Sequence, residues 1–211
     1  LAIDLSLSSL AYAKRKTEEL GFTNIKYMQA DILDLGKLGR KFDIVESVGV
    51  LHHMDEPMVG WKLLTESLES GGLMNIGLYS EYARQNIVKI REEIKQKNVG
   101  DSDFEMKSFR SHLSNSKQSH HRRATLSPDF YSLSNFRDLL FHVQEHRFTL
   151  PQIKNSLAEL GLEFCGFADS DLTGFFKLTN TGLEDLWNIE KWNSFEKENP
   201  DRIGVIWGSG I

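Results

Sequence analysis

FDIVESVGVLHHMDEP, residues Phe42 to Pro57, changes character half-way along. Its first part is apolar and β-branched: Phe42, Ile44, Val45, Val48, Val50 and Leu51. A short run of this kind suits a strand buried on both faces of a parallel sheet. His52, His53, Asp55 and Glu56 then arrive together, and Pro57 stands where a helix can begin. Val59, Trp61, Leu63, Leu64 and Leu68 follow at helical spacing. The stretch therefore predicts a buried strand, a polar tip and a helix. In open α/β sheets ligands sit outside the carboxyl ends of such strands.

Working outward, the same unit recurs. LAIDLS closes a strand on Asp4, and Ser6 is placed to cap a helix with Leu7, Leu10, Ala11, Ala13 and Leu20 on one face. Ile25 to Ala30 predicts a second strand, ending on Asp31 and followed by Ile32 and Leu33. Asp34 to Arg40 leaves room only for a shrunken helix. Gly71 and Gly72 mark the end of the helix after Pro57, and Leu73 to Tyr79 predicts a further strand. The order is β-α-β-β-α-β, an α/β fold of Rossmann-like, doubly wound, mostly parallel type.

Beyond Ser80 the strand pattern stops. Tyr82 to Lys97 predicts an amphipathic helix through Ile87, Ile90 and Ile94, and Ser102 to Leu113 a second. Lys107 to Pro128 holds no acidic residue but carries Lys107, Arg110, Lys117, Arg122 and Arg123. It reads as a mobile linker or as a basic lid. Thr149 caps LPQIKNSLAELG, Leu162 to Phe167 predicts a strand, Gly182 to Glu198 a helix, and Ile203 to Trp207 a last short strand. The expected organisation is residues 1–79 as a cofactor-binding half, 80–148 as a helical insertion or lid, and 149–211 as the closing helices and strands.

Composition sets broad bounds. The 211 residues are 40% hydrophobic and 26% charged, with net charge −5, so no general nucleic-acid binding is expected. One cysteine, Cys165, excludes an internal disulfide; it reads as an inert buried thiol in a reducing compartment. No apolar run has the ~20 residues of a membrane span, so a cytoplasmic protein without membrane partners is expected.

An acid at a strand tip, such as Asp4, offers two acceptors to the hydroxyls of a ribose, although an acid before a helix is equally a cap. FDIVESVGVLHHMDEP, with Asp4 one unit before and Asp31-Ile32 between, resembles class I S-adenosylmethionine-dependent methyltransferases. The resemblance implies that Asp4 with Leu5 meets the ribose, and that Asp31 and Ile32 meet the adenine. It implies further that the backbone of Ser47, Val48 and Gly49 holds the methionine end of S-adenosyl-L-methionine. His52 and His53 become the catalytic candidates, as a general base or as groups that orient the acceptor, against a purely structural role. The acceptor would be a small molecule or a protein. FHVQEHRFTLPQI, Phe141 to Ile153, resembles a bacterial-type branch often fused to tetratricopeptide repeats, which implies such repeats in the full-length protein. The family's E/D-x-G-x-G-x-G loop is absent from the 211 residues. The expectation is therefore a fragment lacking the first strand and glycine loop, whose strands ending at Asp4 and Glu46 close up on each other. The tail IGVIWGSGI departs from the family's closing hairpin strand. Two other classes compete. His142, Glu145 and His146 match H-x-x-E-H, which on a helix could bind zinc for hydrolysis. A non-catalytic partner-binding module could use the basic segment with Trp187 and Trp192.

Overall fold

The structure, a computed structural model, describes residues 1–200 and 205–210. Strand β1 (Ala2–Asp4) leads through helix α1 (Leu7–Glu19) to β2 (Tyr27–Gln29), and the two strands pair in parallel with Asp4 opposite Gln29. Ser6 caps α1 by accepting the Ser9 N–H. A 3-10 turn, Ile32–Leu38, replaces a longer helix and ends on Gly39 at φ 56°, a left-handed conformation that suits glycine. Strand β3 (Phe42–Val48), a 3-10 turn at Leu51–His53, helix α2 (Pro57–Glu66) and strand β4 (Leu68–Tyr79) form the next unit. Four helices follow: α3 (Gln85–Gln96), α4 (Asp103–Ser114), α5 (Ser119–Ala124) and α6 (Leu133–Phe141). The chain closes with α7 (Leu150–Leu160), β5 (Phe164–Phe167), α8 (Ser170–Phe176), α9 (Ile189–Glu198) and β6 (Val205–Gly210). The larger sheet has the order β3-β4-β6-β5, with β3 and β4 parallel and β6 antiparallel to both its neighbours. Among the described residues no helix is long and apolar enough to cross a membrane.

Two apolar cores result. One packs Val45, Met74, Ile76 and Leu78 of β3 and β4 against α2, α7, α8 and α9, with Phe176 stacked on Trp192 at 3.7 Å. Burial of these large side chains is the main stabilising term, at ~1.5–3 kcal/mol for each fully buried one. The other core lies wholly among α3 to α6, through Ile87, Ile90, Met106, Phe109, Leu113, Phe130 and Phe136.

Several expectations are corrected. Strand β3 is buried on one face only: Val45 and Ser47 point inward, while Ile44 is 67% exposed beside Leu73, its partner on β4. Helix α1 buries Leu10 alone, with Leu7 and Leu20 exposed. Gly71 and Gly72 do not end α2. They lie inside β4, where Gly71 at φ 78° lies in a bulge that sets residues 69–72 of β4 against Asp43 alone on β3. The strands ending at Asp4 and Glu46 do not close up, since β1–β2 forms a sheet of its own. The penalty for unmet polar groups applies to buried ones, and Asp43, Ile44 and Glu46 on β3 are exposed. The basic segment is not a bare linker. Met106, Phe109 and Leu113 anchor α4, and His121 and Ala124 anchor α5, at a spacing masked by the charges between them. The tail joins the sheet as β6, between β4 and β5; Ile203 lies outside the described residues. Cys165 is half-buried.

Candidate active site

The site is built where β3 and β4 end together. After Val48 the chain passes Gly49 at φ 76° and tightens into the Leu51–His53 turn, where the His53 N–H donates to the Val50 carbonyl at 2.9 Å. Leu51 is sealed in the core and anchors the turn. Helix α2 can lie close because Gly60 has no side chain, and a Cβ there would stand 2.9 Å from Leu51 Cδ2. His52, 1% exposed, packs its ring 4.0 Å from that of Tyr79, the last residue of β4. Neither nitrogen of His52 makes a hydrogen bond of good geometry, the backbone of Gly77 being the polar group that acts on the ring. Burial, reinforced by neighbouring His53, pushes its pKa down to about 4, so it is neutral at pH 7.

His53 is held differently. Its Nδ1 lies 2.9 Å from the Gln144 carbonyl oxygen, which can only accept. The hydrogen bond therefore assigns the proton to Nδ1 and leaves Nε2 with its lone pair. Burial lowers the pKa of His53 as well. Residues 144–148 run across the strand tips. The His146 N–H donates to the His52 carbonyl at 2.8 Å, and the Phe148 N–H to the Tyr79 carbonyl at 2.9 Å. This strap carries Glu145, whose side chain is fully buried. Arg84 reaches its Oε2 at 2.5 Å and Arg91 at 3.3 Å, while the Arg84 guanidinium also covers the Tyr79 ring at 3.8 Å. Burial alone would raise the Glu145 pKa; Arg84, then Arg91 and Arg147, reverse this and leave it lowered.

That arrangement removes the zinc-hydrolase alternative. Helix α6 stops at Phe141, so His142 and His146 do not share a helical face. Glu145 is committed to arginines, and His142 Nδ1 lies 2.7 Å from the Gln144 carbonyl oxygen. H-x-x-E-H needs a helix to bring its histidines together, and here the segment is a strap.

The other candidates lie at carboxyl ends of strands. Asp4 ends β1 and accepts the Ser6 N–H at 2.7 Å with Oδ1. Asp31 stands two residues past β2 and accepts the Leu33 N–H at 2.9 Å, so both acids cap local turns through one oxygen. The register of β1 and β2 puts them at the same end of the small sheet. Leu5 is exposed, while Ile32 is half-buried against the main core. Ser47 is buried with no partner for its Oγ, Val48 is half-buried, and Gly49 is exposed.

Residues 1–72 match the family model of a methyltransferase domain. The whole chain is similar to PKMT2 from Rickettsia typhi, with a TM-score of 0.63 at 15% identity, over 99% of this chain and 42% of that one. This is a class I methyltransferase-type fold. The structure of PKMT2 in complex with AdoHcy is similar too, with a TM-score of 0.61 at 15% identity and the same coverage. In sequence the chain is 27% identical over 206 residues to an uncharacterized protein of a Synechococcus strain, covering 92% of this chain and 49% of the relative. The chain thus spans about half the length of the curated relative it matches.

On this methyltransferase-type fold, Tyr79, Arg84, Arg91, Gln144 and Glu145 surround the two histidines, and pattern reading did not assign them to the site. Tyr79 was the one with a signal, as a polar aromatic residue at a strand end. Gln144 acts through its backbone carbonyl, which no sequence pattern marks.

Proposed function

We propose that this chain is an S-adenosyl-L-methionine-dependent methyltransferase domain in which residues 80–148 form the acceptor side of the site. The observation that carries the proposal is the methyltransferase-domain match over residues 1–72, because Asp4, Asp31, Ser47 and His52 all fall within it. The residues present fit the cofactor. Ser47 Oγ is buried without a partner, and Gly49 leaves open space where a Cβ would stand. One oxygen each of Asp4 and Asp31 makes no hydrogen bond among the described residues. The similar PKMT2 structure with AdoHcy supports the same choice.

When bound, S-adenosyl-L-methionine supplies an electrophilic methyl group. On our reading Asp4 and Leu5 hold the ribose side, Asp31 and Ile32 the adenine side, and the Ser47 to Gly49 backbone the methionine end. His53 Nε2 carries the lone pair that takes a proton from the acceptor atom. His52, sealed behind the His53 and Tyr79 rings, acts by holding His53 in place for the acceptor. Holding the reactants in line is worth far more than any single proton transfer. The strap at 144–148, tied to His52 and Tyr79, supports an acceptor side built from the helical segment.

The test is calorimetric titration of the chain with AdoHcy, repeated for Asp4→Ala and Asp31→Ala. Each variant is expected to weaken binding by about tenfold, ~1.4 kcal/mol. Unchanged affinity in both would overturn the cofactor assignment. The proton-transfer role predicts that His53→Gln lowers turnover while AdoHcy affinity stays the same.

A further inference from the structure

A second pair of adjacent histidines, far from the strand tips in sequence, converges on one carboxylate. Glu93 on α3 places its Oε1 at 2.7 Å from His120 Nε2 and 2.9 Å from His121 Nε2, both on α5. The three potential ligand atoms lie within 4.8 Å of one another. We propose that Glu93, His120 and His121 form a divalent transition-metal site, zinc by its ligand set, that fastens α5 to α3.

Three features of the geometry support it. First, the ligand set is right: two imidazole nitrogens and one carboxylate oxygen make a three-ligand zinc site with a fourth position for water. Second, the spacing is close. Zinc–ligand bonds of ~2.0–2.2 Å place tetrahedral ligand atoms about 3.3 Å apart, so each oxygen–nitrogen pair need open by only ~0.5 Å. Third, the ligands are already aimed. His121 is fully buried, and its Nδ1 lies 2.7 Å from Ser116 Oγ, which fixes the ring with Nε2 toward Glu93. Metal-binding imidazoles are oriented in this way by a partner on the other ring nitrogen. Lys97 holds the other oxygen, Oε2, at 3.0 Å, which leaves Oε1 as the single ligand atom of Glu93.

A structural role follows from the elements joined. Helix α5 has only six residues and is too short to be stable by itself. It contributes His121 and Ala124 to burial, against three or more large apolar side chains from each of α3, α4 and α6. A metal across Glu93, His120 and His121 would join the basic stretch Lys117 to Arg123 to the helical core, because binding free energy at such a site is folding free energy. The inference is independent of the methyl-transfer reading.

The test uses the chain free of any polyhistidine tag and stripped of metal, titrated with zinc sulfate by calorimetry. We expect one zinc per chain, bound more tightly than about 10 µM, with a higher Tm in the loaded chain. Glu93→Gln and His120→Asn should each weaken binding at least about tenfold. His142→Asn, in the cluster at the strand tips, should leave it unchanged. Circular dichroism checks that the variants fold. Cobalt(II) added to the unaltered chain should give the visible absorption of a low-symmetry, four- or five-coordinate ion, a readout that needs no variant. Absence of zinc binding or of the cobalt bands overturns the proposal. So does full zinc binding by the Glu93→Gln, His120→Asn double variant, or loss of binding in His142→Asn.

Discussion

The chain contains two His-His pairs with opposite surroundings. His52-His53 lies at the ends of β3 and β4, where His52 makes no hydrogen bond of good geometry and His53 has a backbone carbonyl. His120-His121 lies on α5, and both rings meet one carboxylate, Glu93. A carboxylate is also close to the first pair, but Glu145 is taken up by Arg84, Arg91 and Arg147. The difference teaches that what a histidine can do depends on whether its neighbouring acid turns an oxygen toward the ring or gives both to arginines. At the strand tips burial keeps both rings neutral, while Glu145 is taken up by the arginines. On α5 the acid is turned toward the rings and fixes them.

The largest expected effect comes from removing the neutralised acid. Glu145→Ala leaves Arg84 and Arg91 largely buried without their carboxylate, and breaking a buried pair from one side costs ~3–5 kcal/mol. Urea unfolding followed by tryptophan fluorescence should show a loss of that size. A loss under about 1 kcal/mol would mean that the strap is not held by this cluster.

Acidification gives the next largest effect. His52 has a folded pKa of about 4, below the ~6.5 of the unfolded chain. Between these values the unfolded state binds the extra proton, so stability falls as pH drops from about 6.5 to about 4. The full contribution is of the order of 3 kcal/mol. Unfolding free energies measured across this window should slope in the native chain and flatten in His52→Leu. Equal slopes in the two would show that His52 is not the group sensing pH.

Ser116→Ala carries the smallest effect. It removes the hydrogen bond to His121 Nδ1, worth about 1 kcal/mol, and tests whether the second pair owes its aim to Ser116. The measurement is Tm together with zinc affinity; both should fall. If only Tm falls, Ser116 stabilises α5 without directing the ring.

Local signals carried much of the fold. Thr149 as cap, Pro151 near the first turn and Gly161 at the end define α7 from sequence, because each acts on backbone groups within a few residues, and the structure adds a capping box between Thr149 and Gln152. The apolar spacing of Ile87, Ile90 and Ile94 likewise gives α3, and the β3–turn–α2 unit follows from Phe42 to Trp61. Strand-tip acids were legible for the same reason: a strand end and the helix after it are neighbours in sequence. H-x-x-E-H misled because it presumes a helix, and the α6 helix ends one residue before it.

What the tertiary structure decided is every pairing across a long separation. That Gln144 reaches His53, that Arg84 and Arg91 claim Glu145, and that Glu93 faces α5 depend on how the helical segment folds back over the sheet. So does the face on which Ile44 stands exposed, because coverage of a sheet depends on which helices pack there. The sequence by itself determined the elements, since periodicity and capping act over a few residues. Partners for buried charges such as Glu145 were set only when the folded chain brought opposite charges to them, because an unpaired charge is costly to bury.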